Sequence, residues 1–305
     1  MTGARTMRAG RGGFDLQGHR GARGLFPENT LEGFRAALAI GVDTFELDVG
    51  LTADGVAVVH HDPALNPDVA RGPDGAWLTP PTPLLHDLTL AALLQYDVGR
   101  LRPGSAYAAR NPEQQPHDGA RIPRLDAVLR IDPAVRFNLE MKSDPAHAGR
   151  TVDAATLADA VMAEVDAAGI LSRVTVESFD WRGPRHLRRT RPAVRLAWLT
   201  TAETVRDAAL WWGGPHPSDF GGSVARAVAA EGGPIWAPDQ ADLTEAMVQE
   251  AHDLGLLVLP WTVNQPERMR QLIAWGVDGL ITDRPDLARG VMREVGLPLP
   301  PARPC

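Results

Sequence analysis

The sequence predicts a single (β/α)8 barrel with a loop insertion after the second strand and its hairpin. Two observations carry this. Short apolar runs of strand length alternate with helical patterns along most of the 305 residues, the order that a closed parallel sheet with an outer ring of helices requires. A glycine also stands just past four of the helical patterns, where a helix commonly ends in a left-handed residue. The doubly wound sheet shares this alternation. However, no G-x-G-x-x-G follows the first strand, and Gly18, Gly21 and Gly24 are spaced by three instead.

The chain begins with a short arginine-bearing segment, 1–13, that has no apolar stretch after its cations. It reads as a mobile tail and not as a signal peptide, which leaves 14–305 as one barrel domain. Strands are expected at 14–18, 44–49, 136–141, 174–178, 194–199, 235–237, 256–262 and 279–282. Helical patterns run 30–40 before Gly41, 151–168 before Gly169, 243–254 before Gly255 and 266–275 before Gly276. Residues 63–123 are rich in proline, glycine and asparagine, with one helical piece at 88–96. An insertion of that length on a barrel is expected to be a loop subdomain near the active face, with Trp77, Leu84, Leu85, Leu88 and Tyr96 as a small core.

The formal net charge is −7, and the acidic residues are spread along the chain. This argues against a nucleic-acid binder or a protein held on anionic membranes. The single cysteine, Cys305, is the last residue, so no intrachain disulfide forms. No stretch is long and apolar enough to span a membrane. A cytoplasmic protein is expected; the oligomeric state is not legible.

Four clusters fall where strands end, the face on which barrel sites are built. They are Gly18-His19-Arg20-Gly21, Glu46-Leu47-Asp48, His60-His61-Asp62 and Glu140-Met141-Lys142. Glu46 and Asp48 are two apart on a strand and share a face. Two carboxylates on one buried wall repel unless a cation lies between them. Glu140 on the next strand supplies a third oxygen ligand, and an all-oxygen set suits Mg2+ or Ca2+. Thr52-Ala53-Asp54-Gly55 is a turn signal. With Ala53-Asp54 as the loop, His61 lies opposite Glu46; with Asp54-Gly55, it lies opposite Asp48. His19 and His61 are therefore expected beside the carboxylates as general acid and base, with His60 turned to the other face of its strand. Of the 31 lysines and arginines, all but Lys142 are arginine. A lone lysine two residues from Glu140 points to a site that needs a compact ammonium. With Arg20 it adds a second cation, and the set suits a phosphodiester. No P-loop and no G-x-S-x-G elbow occur, which removes the usual signatures of nucleoside-triphosphate and serine-hydrolase chemistry.

In order along the chain, these residues resemble the glycerophosphodiester phosphodiesterase family. The match runs through His19-Arg20-Gly21, Pro27-Glu28-Asn29-Thr30, Glu46-Leu47-Asp48, Thr52-Ala53-Asp54-Gly55, His61-Asp62, Asp87-Leu88-Thr89-Leu90, Ile122-Pro123, Glu140-Met141-Lys142, Ser178-Phe179-Asp180, Trp261-Thr262-Val263-Asn264 and Gly279-Leu280-Ile281-Thr282-Asp283. The resemblance implies a (β/α)8 barrel that hydrolyses small-molecule glycerophosphodiesters to glycerol 3-phosphate and an alcohol with one divalent cation, Mg2+ or Ca2+. It implies Glu46, Asp48 and Glu140 as metal ligands, His19 and His61 as the acid–base pair, and Arg20 and Lys142 as phosphate-binding cations. It also implies a route in which the glycerol 2-hydroxyl attacks phosphorus and water then opens the cyclic phosphate. Trp261 matches a position where an aromatic face borders the glycerol; packing is its alternative use. Two further functions remain alternatives: a phosphodiester-binding barrel without catalysis, and a related barrel phospholipase or lyase acting on lipid. The chain departs from the family pattern at Asn66-Pro67, where Arg-Thr is common, and at Glu177, where a neutral residue is commoner. Glu177 is an added ligand if it faces the barrel interior and a surface carboxylate if it faces outward.

Overall fold

The computed structural model describes residues 13–303; the expected 1–12 portion of the tail and Cys305 lie outside the described residues. The strands are β1 (Asp15–His19), β2 (Thr44–Leu51), β3 (Ala57–Val59), β4 (Arg136–Met141), β5 (Val174–Ser178), β6 (Arg195–Thr200), β7 (Ile235–Pro238), β8 (Leu257–Val258) and β9 (Gly279–Thr282). Hydrogen-bonded neighbours follow the order β8-β7-β6-β5-β4-β2-β1-β9, with β3 attached to β2 as an antiparallel hairpin arm. The Asp278 amide donates to the Val258 carbonyl at 3.0 Å and the Ile281 amide to the Pro260 carbonyl at 3.1 Å. These bonds bring β9 beside the β8 segment and draw the sheet into a nearly closed barrel, as expected.

Along β2 the residues alternate. Phe45, Leu47 and Val49 join the packed layer between sheet and helices, and Glu46 and Asp48 take the other face. The same alternation along the other strands divides the barrel interior. On β1, β2, β4 and β5 it is polar, with Gln17, Glu46, Asn138, Glu140 and Glu177 buried. On β6 to β8 it is apolar, with Ala197, Ile235 and Leu259 clustered together. Most barrels fill this interior with branched aliphatic side chains, so polar residues on one half of the wall mark that half as chemical.

The structure corrects several expectations. The seventh expected strand run, 256–262, keeps only Leu257–Val258 as strand, because Pro260 has no amide to donate. The hairpin takes neither of the two-residue loops. Val49 pairs with Val59, Gly50 with Val58 and Leu51 with Ala57, so Ala53-Asp54-Gly55 is a three-residue loop closed by Thr52 N to Val56 O at 3.1 Å. Gly55 has φ +75, the left-handed residue that such loops use to match strand twist. His60, and not His61, therefore meets Asp48, donating its amide to the Asp48 carbonyl at 3.0 Å.

Helix ends move inward to residues that cap. The 151–168 pattern becomes Ala154–Ala168, capped by Asp153. The 243–254 pattern becomes Glu245–Asp253, capped by Thr244. The 88–96 piece shrinks to one α-turn, Leu90–Leu93, begun by Thr89, with a 3-10 turn, Leu85–Asp87, before it. Within 63–123 a second cluster forms from Leu65, Val69, Leu85, Leu93, Val98 and Ile122, with Leu88 and Tyr96 at its margin. Trp77 is not part of it; its ring lies under the Arg71 guanidinium at 5.7 Å.

The helix Leu31–Ile40 shows how local chemistry positions the site. Thr30 is fully buried. Its Oγ1 accepts from Gly33 N at 3.0 Å and donates to the Pro27 carbonyl at 2.8 Å. One hydroxyl thus caps the helix and shapes the turn carrying Glu28 and Asn29. A Cβ on Gly33 would meet the Pro27 oxygen at 2.4 Å, so the turn closes only over glycine. Thr30→Ala should cost roughly 1–2 kcal/mol of stability, read as a lower urea midpoint with unchanged slope.

Candidate active site

Parallel pairing sets the heights of the side chains. His19 on β1 is in register with Glu46 on β2, Asp48 with Glu140 on β4, and Glu140 with Glu177 on β5. They form a row near the C-terminal ends of neighbouring strands, and His19, Glu46, Glu140 and Glu177 line a cleft of about 290 Å³ with Arg20, Arg23 and His61. The opposite wall is apolar, with Phe179, Leu199, Trp261 and Ile281. The structure therefore gathers Glu46, Glu140, His19, His61, Arg20 and Trp261 around one cavity, with Asp48 and Lys142 against its acidic wall. His60 is buried and does not line the cleft. Its ring lies against the Ala64 carbonyl at 3.5 Å.

Oxygens of Glu46, Asp48 and Glu140 all lie within 4.8 Å of one another. Glu46 Oε1 and Asp48 Oδ1 accept no hydrogen bond from the protein. Burial and the charges of Asp48, Glu177 and Glu140 push the Glu46 carboxyl well above its usual range. Burial also raises Glu140, although Lys142 opposes it. Asp48 goes the other way: burial disfavours its charge, but Arg20 and His61 hold it well below the usual range. Three converging carboxylates, two of them with an unpaired oxygen, fit a hard divalent cation, which binds through oxygen and relieves this repulsion.

Two cations flank the cluster. Arg20 sits in the tight turn after β1, with φ +51. A Cβ on Gly18 would fall 2.0 Å from the Gly21 oxygen, so the turn is closed enough to exclude one. Arg20 is held there by its amide on Glu46 Oε2 at 3.0 Å, its Nη1 on Glu28 Oε1 at 2.8 Å and an ion pair from Nε to Asp48 at 3.2 Å. Lys142 Nζ donates to Glu140 Oε1 at 2.6 Å and lies 3.5 Å from Asp48 Oδ1. The same ammonium stands 5.9 Å from the centre of the Phe179 ring.

Each histidine is bound to an aspartate through Nδ1, His19 to Asp283 at 2.6 Å and His61 to Asp62 at 2.6 Å. An ionised carboxylate only accepts, so Nδ1 carries the proton and Nε2 is left with its lone pair. His19 Nε2 is 3.7 Å from Glu46 Oε2. Asp283 is fixed by Arg23 at 2.9 Å and by Asn264 at 2.7 Å. Asp62 takes 2.8 Å from Asn66. Burial lowers the His19 pKa to about 4, aided by the Arg23 charge and resisted by Asp283. Burial, Arg20 and Lys142 lower His61 in the same way. Both rings are thus neutral near pH 7.

Sequence reasoning left several of these partners without a role. Asp62 and Asp283, which orient the histidines, stood only inside quoted motifs. So did Asn29, whose Nδ2 donates to Asp48 Oδ2 at 2.8 Å. Asp283 lies at the end of the last strand, beside β1 once the barrel closes, and that position was the available signal. The orientation of Glu177 is settled: it faces the interior, 1% exposed, and burial with the Glu140 charge raises its pKa to about 8. The insertion also reaches this edge. Tyr107 on the short helix Ala106–Arg110 donates to Glu28 and accepts from Arg23 at 3.3 Å.

A parallel barrel whose mouth combines an oxygen-ligand cluster, two fixed cations and two oriented histidines is that of a barrel enzyme acting on phosphoesters. The chain belongs to the glycerophosphoryl diester phosphodiesterase family, whose model matches residues 19–287. It is 28% identical over 288 residues to the glycerophosphodiester phosphodiesterase of Bacillus subtilis (strain 168), covering 90% of this chain and 85% of that one. A crystal structure from Silicibacter pomeroyi DSS-3, assigned as a glycerophosphoryl diester phosphodiesterase, superposes with a TM-score of 0.85 at 38% identity, over 95% of this chain and 97% of that one. An Oleispira antarctica phosphodiesterase, solved with the product sn-glycerol-3-phosphate, shares the fold at a TM-score of 0.71 and 20% identity, over 92% of this chain and 96% of that one. Among the described residues, no helix is long and apolar enough to cross a membrane.

The depressed His19 pKa sets a sign for stability. The folded ring takes its proton near pH 4, whereas an unfolded histidine takes it near pH ~6.5. The unfolded chain therefore binds more protons in that window, and stability is complete above pH ~6.5 and lost as pH falls towards 4. Urea unfolding of the EDTA-treated protein should show the wild type losing roughly 3 kcal/mol more than His19→Gln between pH 7.5 and 4. Parallel curves for the two proteins would refute the buried neutral ring.

Proposed function

We propose that the protein hydrolyses small glycerophosphodiesters to glycerol 3-phosphate and an alcohol. In this reading one divalent cation, Mg2+ or Ca2+, sits on Glu46, Asp48 and Glu140. His19 and His61 serve as the acid–base pair, and Arg20 and Lys142 bind the phosphate. The observation that carries it is the pair of histidines, each with Nδ1 locked on an aspartate, lining one cleft with Glu46, Glu140, Arg20 and Arg23. The family to which the chain belongs supports the substrate class.

The chemistry follows from the groups present. Arg20 and Lys142 neutralise the non-bridging oxygens of a phosphodiester monoanion and orient it against the apolar wall, where Trp261 and Phe179 border the glycerol carbons. A bound divalent cation supplies charge stabilisation at the phosphoryl oxygens. One imidazole takes the proton from the glycerol 2-hydroxyl as its oxygen attacks phosphorus. The other imidazole, protonated after the anion binds, gives its proton to the departing alcohol oxygen. In the second half the roles reverse. Water is deprotonated as it attacks the cyclic phosphate, and the 2-oxygen takes back a proton. Both rings begin neutral, so binding of the anionic substrate must raise the pKa of the acid, as a nearby negative charge does.

The test is a panel of glycerophosphodiesters, with a lysophospholipid as the lipid arm, assayed in EDTA and with added Mg2+ or Ca2+. Turnover of the glycerophosphodiesters should vanish in EDTA and return with the cation. Glu46→Gln should lose roughly a thousandfold. His61→Ala should lose about 10²–10⁴-fold while His60→Ala stays near wild type. Full activity in EDTA, or turnover of the lipid alone, would overturn the reading.

Lys142 makes a sharper demand. Its ammonium fits between Glu140, Asp48 and the Phe179 ring, and a planar guanidinium in that space presents its donors in a fixed fork. Lys142→Arg should fold normally yet lose most of its kcat/KM, and Lys142→Met should lose at least as much. Near-normal turnover in Lys142→Arg would mean that any cation suffices there.

A further inference from the structure

We infer that Glu177 is a fourth carboxylate of the divalent-cation site and closes its oxygen cage from the β5 side. The inference rests on the cation reading of Glu46, Asp48 and Glu140 proposed above. Three observations carry it. Glu177 is in register with Glu140 on the adjacent strand. It is 1% exposed, and it lines the same cleft as Glu46 and Glu140. Its Oε2 accepts no hydrogen bond from the protein. A buried carboxylate oxygen left unpaired beside a cavity is costly unless something pairs with it.

The strand neighbours of Glu177 exclude an outward role. Val176 packs in the layer between sheet and helices. Ser178 turns away and donates to the Met141 carbonyl at 2.9 Å. The remaining alternative is an acid that only fills a polar interior beside Asn138. Asn138 hydrogen-bonds Glu177 and also donates to Gln17 at 3.0 Å, and this alternative still leaves Oε2 without a partner. The charge count agrees. Glu46, Asp48, Glu140 and Glu177 face Arg20 and Lys142, and Arg20 is shared with Glu28. With Glu28 counted, the carboxylates outnumber the two cations by three when ionised, and a dication offsets two of those charges. A fourth carboxylate suits a cation that takes 6–8 oxygens more than one that keeps several of its waters, so the loss on removing it should be largest for Ca2+.

The test measures binding and not turnover. Wild type, Glu177→Gln and Glu46→Gln are stripped with EDTA, dialysed, and titrated calorimetrically with CaCl2 and with MgCl2. The cation-induced rise in unfolding temperature is the second readout. Glu177→Gln keeps the size and hydrogen-bonding ability of the side chain. If it fails to fold, Glu177→Asp, which withdraws the carboxylate by one methylene, takes its place. The expected result is an affinity for Ca2+ at least tenfold weaker in Glu177→Gln, with a smaller thermal shift and normal folding in EDTA. A weakening under threefold, while Glu46→Gln loses binding, overturns the role of Glu177 and leaves the three-carboxylate reading standing. A lower unfolding temperature in EDTA with unchanged affinity also overturns it and makes Glu177 a packing residue. If wild type and Glu46→Gln behave alike, the cation reading itself fails and this inference fails with it.

Discussion

The mouth of the barrel holds more buried negative charge than its own cations offset, and much of the surrounding structure is arranged around that imbalance. Two like charges about 4 Å apart repel by roughly 4 kcal/mol at an effective dielectric near 20, so several carboxylates converging in one row cannot all ionise unaided. The chain answers in two ways. It holds Asp48 charged by packing Arg20, Lys142 and Asn29 against it. It leaves Glu46 and Glu140 raised above their usual range, which a divalent cation would reverse. Such a site is destabilising when empty of positive charge and gains most from binding it, as a binding site should.

The histidines depend on the same frame. Their aspartates, Asp283 and Asp62, are fixed outside the acidic row, so the negative charge that orients each ring is separate from the charge that holds a cation. Asp283 takes donors from His19, Arg23 and Asn264, which ties the ends of β1 and β9 to the segment after β8, where the barrel closes. Arg23 and Glu28 are in turn fastened by Tyr107 of the insertion, and Gln114 donates to the Arg23 carbonyl at 2.8 Å. The insertion therefore braces the loop after β1 as well as covering the hairpin. Its own small core, around Leu65, Leu85 and Leu93, gives it the rigidity to do so.

How much of this was legible can be argued residue by residue. The barrel was, because strands such as 279–282 are short apolar runs bounded by polar residues, and that signal does not depend on distant contacts. The carboxylate pair Glu46 and Asp48 was legible for the same reason, since a period of two is local. The hairpin register was not. Two-residue loops were weighed, but Gly55 in a left-handed conformation makes the loop three residues long and moves the partner of Asp48 by one position. Asp283 and Tyr107 escaped because their partners are 264 and 79 residues away, respectively. Glu177 could be placed only once its register against Glu140 was known, since one residue of slip would have turned it outward.

The two halves of the interior also divide the work. On β1, β2, β4 and β5 the inward side chains are charged or polar; on the far side Leu199, Trp261 and Ile281 present carbon to the same cleft. A ligand bound across this cleft must carry charge on one side and hydrocarbon on the other, as a phosphodiester of a small polyol does. The Trp261 indole nitrogen donates to the Ala237 carbonyl at 2.9 Å and its ring meets Phe179 edge to face at 5.3 Å, so the apolar wall is as fixed as the charged one. Phe179 links them, because the Lys142 ammonium stands 5.9 Å from the centre of the same ring. A ligand there would be oriented by two surfaces of opposite character meeting at one ring.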